Sequence, residues 1–163
     1  QIVGFHGRSG GNVDKLGVIY APRLSGPAPG PASYVSIVNR ASGLCMDVWN
    51  AVMAPGTNVA QWTCSGANWQ KWSYDATTGL IRSRHDPRFC LDNSGTFDSG
   101  ANIMIWTCNG NANQRFNLDT ASGVIGMRTY PTQVVDAVGA TPGNDVITFA
   151  NWGGTNQRWN FVP

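Results

Sequence analysis

Apolar residues recur along this chain in short runs broken by glycine, asparagine and threonine. No run approaches the ~20 residues needed to cross a membrane. Tyr34-Val35-Ser36-Ile37-Val38 is one of the short runs, and Gly79-Leu80-Ile81-Arg82-Ser83 and Gly123-Val124-Ile125-Gly126-Met127-Arg128 are two more. Runs of this length bounded by turn residues predict strands. Each opens a unit of about 40 residues with about four short strands, too small to bury an apolar face alone. Three such units arranged about a threefold axis can bury one together, and 163 residues allow one domain of this kind with some chain to spare.

Composition points the same way. All nine acidic residues are Asp, and nine of the eleven cationic ones are Arg. Without Glu, and with little Lys or Leu, the chain lacks the residues that favour helix, so the expectation is all-β. A net charge of +2 with only 12% charged residues, and no Lys/Arg run, leaves nucleic acid or an acidic membrane surface without an electrostatic basis for binding.

The repeat is explicit from Asp47 onward. Asp47, Asp92 and Asp136 lie 45 and 44 residues apart. Trp62, Trp106 and Phe149 follow at spacings of 44 and 43, and so do the motifs Gln70-Lys71-Trp72, Gln114-Arg115-Phe116 and Gln157-Arg158-Trp159. Cys45 and Cys90 each stand two residues before the Asp, and Cys64 and Cys108 two after the central aromatic. That frame predicts the disulfides Cys45–Cys64 and Cys90–Cys108, with the third copy's staple replaced by Val134 and Asn151. Disulfides in turn predict a secreted, extracellular protein. No Cys-x-x-Cys occurs and His6 and His85 are remote from the cysteines, so neither a metal nor a cofactor is expected.

With three Gln-x-aromatic motifs in register, residues 33–163 resemble the ricin-type β-trefoil lectin domain. The resemblance implies a β-trefoil with pseudo-threefold symmetry, glycan partners and sugar of the galactose type. The residue chemistry agrees. A carboxylate can accept from two vicinal hydroxyls, a ring can cover the C–H face of a sugar, and an amide fixes orientation. Carried over by position, Asp47, Asp92 and Asp136 would accept hydroxyls and Trp62, Trp106 and Phe149 would stack. The family amide before the Gln is present as Asn113 and Asn156, whereas the first unit has Trp69. A second family amide is replaced by Ala60, Met104 and Ile147. The second and third units are therefore the stronger candidates, with Asp47 expected to matter least. The Gln-x-aromatic rings are expected in the core, with the Gln amide tying backbone.

Residues 22–32 read as a Pro/Gly-rich linker. Residues 1–21 resemble the C-terminal hairpin of a jacalin-related β-prism, on the Gly7-Arg8-Ser9-Gly10 loop, the Gly10 to Asp14 spacing and the strand-like ends. A start at Gln1 without Met reads as a processed product or an excised fragment of a larger parent protein. Gly7-Arg8-Ser9-Gly10-Gly11 formally matches a nucleophile elbow, but no strand–turn–helix context surrounds it. Asp92 to Asp98 is oxygen-rich but lacks the closing Glu of a calcium loop. Asp in equivalent repeat positions does not suit a glycosidase pair, so no enzyme is expected. The expectation is a carbohydrate-binding module that targets a larger secreted toxin or hydrolase to glycans. The alternative is a trefoil used for protein contact or inhibition without sugar binding.

Overall fold

The structure, a computed structural model, describes the strands Ile2–His6 (β1) and Gly17–Tyr20 (β2) and residues 33–163. The chain divides into two units, 1–32 and 33–163. In the first, β1 and β2 pair antiparallel, Phe5 opposite Val18 and His6 opposite Gly17. The Gly7–Gly11 motif, the Gly10–Asp14 loop and the linker at 22–32 lie outside the described residues.

Residues 33–163 form twelve strands, four per repeat. The first repeat holds Val35–Asn39 (β3), Cys45–Val48 (β4), Thr57–Trp62 (β5) and Lys71–Asp75 (β6). The second holds Leu80–Ser83 (β7), Phe89–Asn93 (β8), Ala101–Thr107 (β9) and Phe116–Asp119 (β10), and the third Val124–Met127 (β11), Gln133–Ala137 (β12), Val146–Ala150 (β13) and Trp159–Val162 (β14). The first and last strands of each repeat make a closed ring. β3 pairs with β6 and β14, β6 with β7, and β10 with β11. The Phe116 and Trp159 amides close the remaining seams by donating to the Gly79 and Gly123 carbonyls, at 2.8 Å each. The middle strands form hairpins β4–β5, β8–β9 and β12–β13 that cap the ring and touch one another through β5–β9 and β9–β13. This is the β-trefoil expected of the sequence.

The core explains why the copies need each other. Trp72, Phe116 and Trp159, one per repeat, are at most 1% exposed and pack with Ile37, Ile81 and Ile125 from the three opening strands. Truncating one such ring in a core typically costs about 3–5 kcal/mol. Trp72 and Trp159 also donate their indole N–H to the Met46 and Val135 carbonyls, at 3.1 and 3.0 Å. The ring turns at Gly79 and Gly123 need glycine twice over, for φ of +81° and for space. A Cβ there would lie 2.9 Å from the Phe116 oxygen and 2.6 Å from the Trp159 oxygen. Arginines in one frame tie neighbouring repeats. Arg40 donates to the Ser122 carbonyl, Arg128 to those of Ala76 and Thr77, and Arg84 lies 5.7 Å over the Tyr34 ring.

Both expected disulfides are present, Cys45–Cys64 and Cys90–Cys108. In the third repeat Val134 is fully buried and Asn151 exposed at the corresponding places.

Candidate functional site

The repeated Asp residues lie within strands, in β4, β8 and β12. Their neighbours across the hairpin are Ala60, Met104 and Ile147, so the family's second amide position stands directly opposite the carboxylate. The aspartates are also far less exposed than a hydroxyl-binding role alone would suggest, at 6%, 2% and 5% for Asp47, Asp92 and Asp136. What holds them is the glutamine of Gln-x-aromatic. Gln70, Gln114 and Gln157 donate from Nε2 to one oxygen of Asp47, Asp92 and Asp136 at 2.7, 2.8 and 2.8 Å. The same Nε2 reaches the carbonyl of Thr63, Thr107 or Ala150 at 2.9–3.0 Å. Each glutamine Oε1 accepts a backbone N–H from Ser65, Asn109 or Trp152. The amide therefore ties backbone as expected, and it also fixes the carboxylate.

The second carboxylate oxygen differs between repeats. Asn113 and Asn156 donate Nδ2 to Asp92 and Asp136 at 2.8 and 2.9 Å. In the first repeat the Trp69 indole takes that place beside Asp47 and favours its charged form. Burial raises the pKa of all three aspartates, and the Gln and Asn donors, or Trp69, oppose the rise. Neutral donors stabilise the carboxylates; among the described residues the ion pair present joins Arg88 to Asp86.

Each carboxylate opens onto a surface cleft with its aromatic. Trp62, Trp106 and Phe149 are 45%, 41% and 40% exposed, in contrast to the buried Gln-x-aromatic rings. Asp92, Trp106 and Asn113 line a cleft of about 190 Å³, with Met104, Asn109 and Ser94. Asp136, Phe149 and Asn156 line one of about 280 Å³, with Ile147 and Trp152. Asp47 and Trp62 line a third of about 370 Å³, with Trp49, Asn50, Ala51 and Trp69. All eight residues singled out from the sequence thus fall in three equivalent clefts, each with a carboxylate acceptor and an exposed ring, two with an amide donor. Among the described residues no three His, Cys, Asp or Glu side chains converge as metal ligands would.

Two lining residues, Trp152 and Trp49, escape the repeat frame, and a third, Trp69, departs from it in residue type. Trp152 is 64% exposed, its indole favours the charged form of Asp136, and its ring lies so close to Gly154 that a Cβ there would clash. Trp49 packs edge-on against Trp62 with centroids 5.8 Å apart and planes at 86°. Trp69 is set edge-on to His85 of the second repeat at 5.9 Å. After Trp49 the chain passes through Asn50 and Ala51 at φ of +53° and +56°, where the other repeats begin their turns with Gly95 and Gly139. A left-handed alanine costs roughly 1–2 kcal/mol, and such strain concentrates at functional sites. A tryptophan in place of the family Asn was the one sequence signal for this departure.

Residues 33–159 match the ricin-type beta-trefoil lectin domain family. Among solved structures, the designed threefold-symmetric protein ThreeFoil is 30% identical with a TM-score of 0.74, over 80% of this chain and 98% of that one. A non-toxic homologue of type II RIPs from Momordica charantia, in complex with α-methyl-D-galactoside, is 25% identical with a TM-score of 0.70, over 81% of this chain and 48% of that one. An exo-β-1,3-galactanase from Clostridium thermocellum is 27% identical with a TM-score of 0.72, over 82% of this chain and 30% of that one. The chain thus spans about half or less of the last two. No curated protein sequence matches it.

Proposed function

The chain belongs to the family of ricin-type beta-trefoil lectin domains over residues 33–159, and from that premise we propose that it is a carbohydrate-binding module for galactose-type sugars, borne by a larger secreted protein. The observation that carries the proposal is the convergence, in two equivalent clefts, of a fixed carboxylate, an exposed ring and an amide. Asp92 with Trp106 and Asn113, and Asp136 with Phe149 and Asn156, are those sets. Each carboxylate has its outward oxygen bonded to one asparagine N–H, which leaves lone pairs for hydroxyls and orients the amide beside them. The ring then covers a C–H face and excludes water from those bonds.

The module itself has no catalytic role in this reading. Galactose as the sugar is supported by the galactoside bound to the Momordica charantia protein. Attachment to a toxin or hydrolase is supported by a galactanase that includes a similar domain. The two disulfides support export. Residues 1–21 are read as the end of a jacalin-like β-prism, supported by the antiparallel pairing of Ile2–His6 with Gly17–Tyr20.

Sites this shallow engage few ligand atoms, so each should bind at roughly millimolar Kd. Two on one body raise apparent affinity for a glycan-dense surface by about 10² or more. The test is a glycan array with the intact chain and its variants. Binding to galactose-terminated glycans is expected, partial loss in Asp92→Ala or Asp136→Ala, and near-complete loss in the pair. Retention of binding in the pair, with both variants folded, would reject these clefts as the sugar sites.

A further inference from the structure

The cleft of the first repeat has the same frame as the other two but a different chemistry. Its lining residues include three indoles, of Trp49, Trp62 and Trp69, around the Asp47 carboxylate. A sugar ring needs donors and acceptors around it, and the asparagine that brings both an N–H and a carbonyl oxygen to the other clefts is an indole here, a donor with no acceptor. The amide that remains in the lining is Asn50, carried on the left-handed turn. Trp49 and Trp62 stand nearly perpendicular, at 86°, and so form two walls of a corner. Gly143 of the third repeat packs against both rings. A Cβ at Gly143 would lie 3.4 Å from the Trp62 ring and 3.7 and 3.8 Å from Trp49. His85 holds Trp69 edge-on from the second repeat. Two of these rings are substantially exposed, Trp49 at 38% and Trp62 at 45%, so the corner faces solvent.

Aromatic faces attract cations through the ring quadrupole, tryptophan most strongly, and several faces around one volume make the cage that selects quaternary ammonium groups. A carboxylate at the floor adds direct attraction. No Lys or Arg of the described residues pairs with Asp47. Neither sister cleft has this combination: the second has one ring, and the third has Phe149 and Trp152 but keeps Asn156.

We propose that the first-repeat cleft binds an alkylammonium group, held by Trp49, Trp62 and Trp69 over the Asp47 carboxylate. The ammonium would be a substituent on a glycan, either a choline head group or the free amine of an amino sugar. The assignment rests on the glycan-binding reading only for that source, since the cage itself needs no sugar. It also gives a physical reason for the departure of this repeat from the other two. The cleft has changed ligand class.

Intrinsic tryptophan fluorescence and calorimetry on the intact chain test it with four probes: choline, glucosamine, and their neutral counterparts 3,3-dimethyl-1-butanol and N-acetylglucosamine. Choline or glucosamine should bind at roughly millimolar Kd, at least about tenfold more tightly than its neutral counterpart. Whichever cation binds more tightly names the source. Trp49→Ala should weaken the cation about fivefold or more, Trp49→Phe should retain most of the affinity, and Asp47→Asn should weaken it about tenfold. Thermal melts on each variant separate loss of the cage from loss of the fold, and the Trp49 pair keeps the test decisive if Asp47→Asn unfolds. Absence of saturable binding of both cations, or equal binding of the neutral counterparts, overturns the proposal. A methyl galactoside titration of the same sample reads the other two clefts, so failure there with intact ammonium binding would count against the galactose reading alone.

Discussion

Replacing Asp92 by asparagine should damage the fold about as much as replacing it by alanine, although asparagine has the same shape. Asp92 is 2% exposed and accepts from Gln114 Nε2 on one oxygen and Asn113 Nδ2 on the other, both at 2.8 Å. In Asp92→Ala each amide keeps one bond, Gln114 to the Thr107 carbonyl at 3.0 Å and Asn113 to the Asn93 carbonyl at 3.3 Å, and the second N–H of each is left to water entering the cleft. The loss is then two hydrogen bonds to a charged group, each about 1.5–3 kcal/mol. It is offset by removal of a desolvated carboxylate, whose raised pKa records that cost. A net destabilisation of about 1–3 kcal/mol follows, or roughly 3–10 °C in Tm for a domain of this size. Asparagine can accept from only one of the two donors and sets its own N–H against the other. Gln114 cannot turn over to relieve this, since its Oε1 already accepts the Asn109 and Gly110 amides at 2.8 and 3.1 Å. Calorimetric melts at neutral pH measure both variants, with methyl galactoside titration alongside. Asp92→Asn melting within about 1 °C of the parent chain would refute the bonding scheme.

Acid should release sugar without these residues weakening the fold. Burial raises the Asp92 and Asp136 pKa values above the ordinary 3.8, so affinity should fall as pH drops through the raised values. Their linkage to stability has the opposite sign: the folded state holds the proton more tightly, so this contribution is full below 3.8 and is lost as pH rises through the raised value. Galactoside titrations and melts across that window check both trends; affinity that does not fall until below 3.8 would contradict the first. Gly123→Ala should destabilise by about 2 kcal/mol or more, since a Cβ there meets the Trp159 carbonyl at φ of +81°; an unchanged denaturation midpoint would refute it. Removing the Cys90–Cys108 bond should cost about 2–5 kcal/mol, and non-reducing peptide mapping that joins Cys64 to Cys90 would overturn the repeat frame.

Legibility of the sequence followed its symmetry. Trp72, Phe116 and Trp159 recur in step because the same core position is filled three times, so their burial and the disulfide pairing could be read from spacing. The exposed Trp62, Trp106 and Phe149 could be told from the buried rings by the same frame. The burial of the aspartates could not. It depends on a bond between side chains 21–23 residues apart, Gln70 to Asp47 and its equivalents, and a frame of spacings does not say which side chains meet. Trp49 and Trp152 were missed because they occur once each, outside the frame, and acquire their place from the neighbouring ring or loop. The substitution of Trp69 for asparagine was visible, but only the corner made by Trp49 and Trp62 gives it a chemical meaning.

Amide and indole NMR shifts of the intact, isotopically labelled chain during titration with methyl α-galactoside test the central claim most directly. The account predicts saturating shifts at roughly millimolar ligand in the Asn113 and Asn156 side-chain amides and the Trp106 indole, with the core indoles of Trp72 and Trp159 unmoved. Saturating shifts that leave Asn113, Asn156 and Trp106 untouched would contradict it, as would no shifts at all up to about 100 mM.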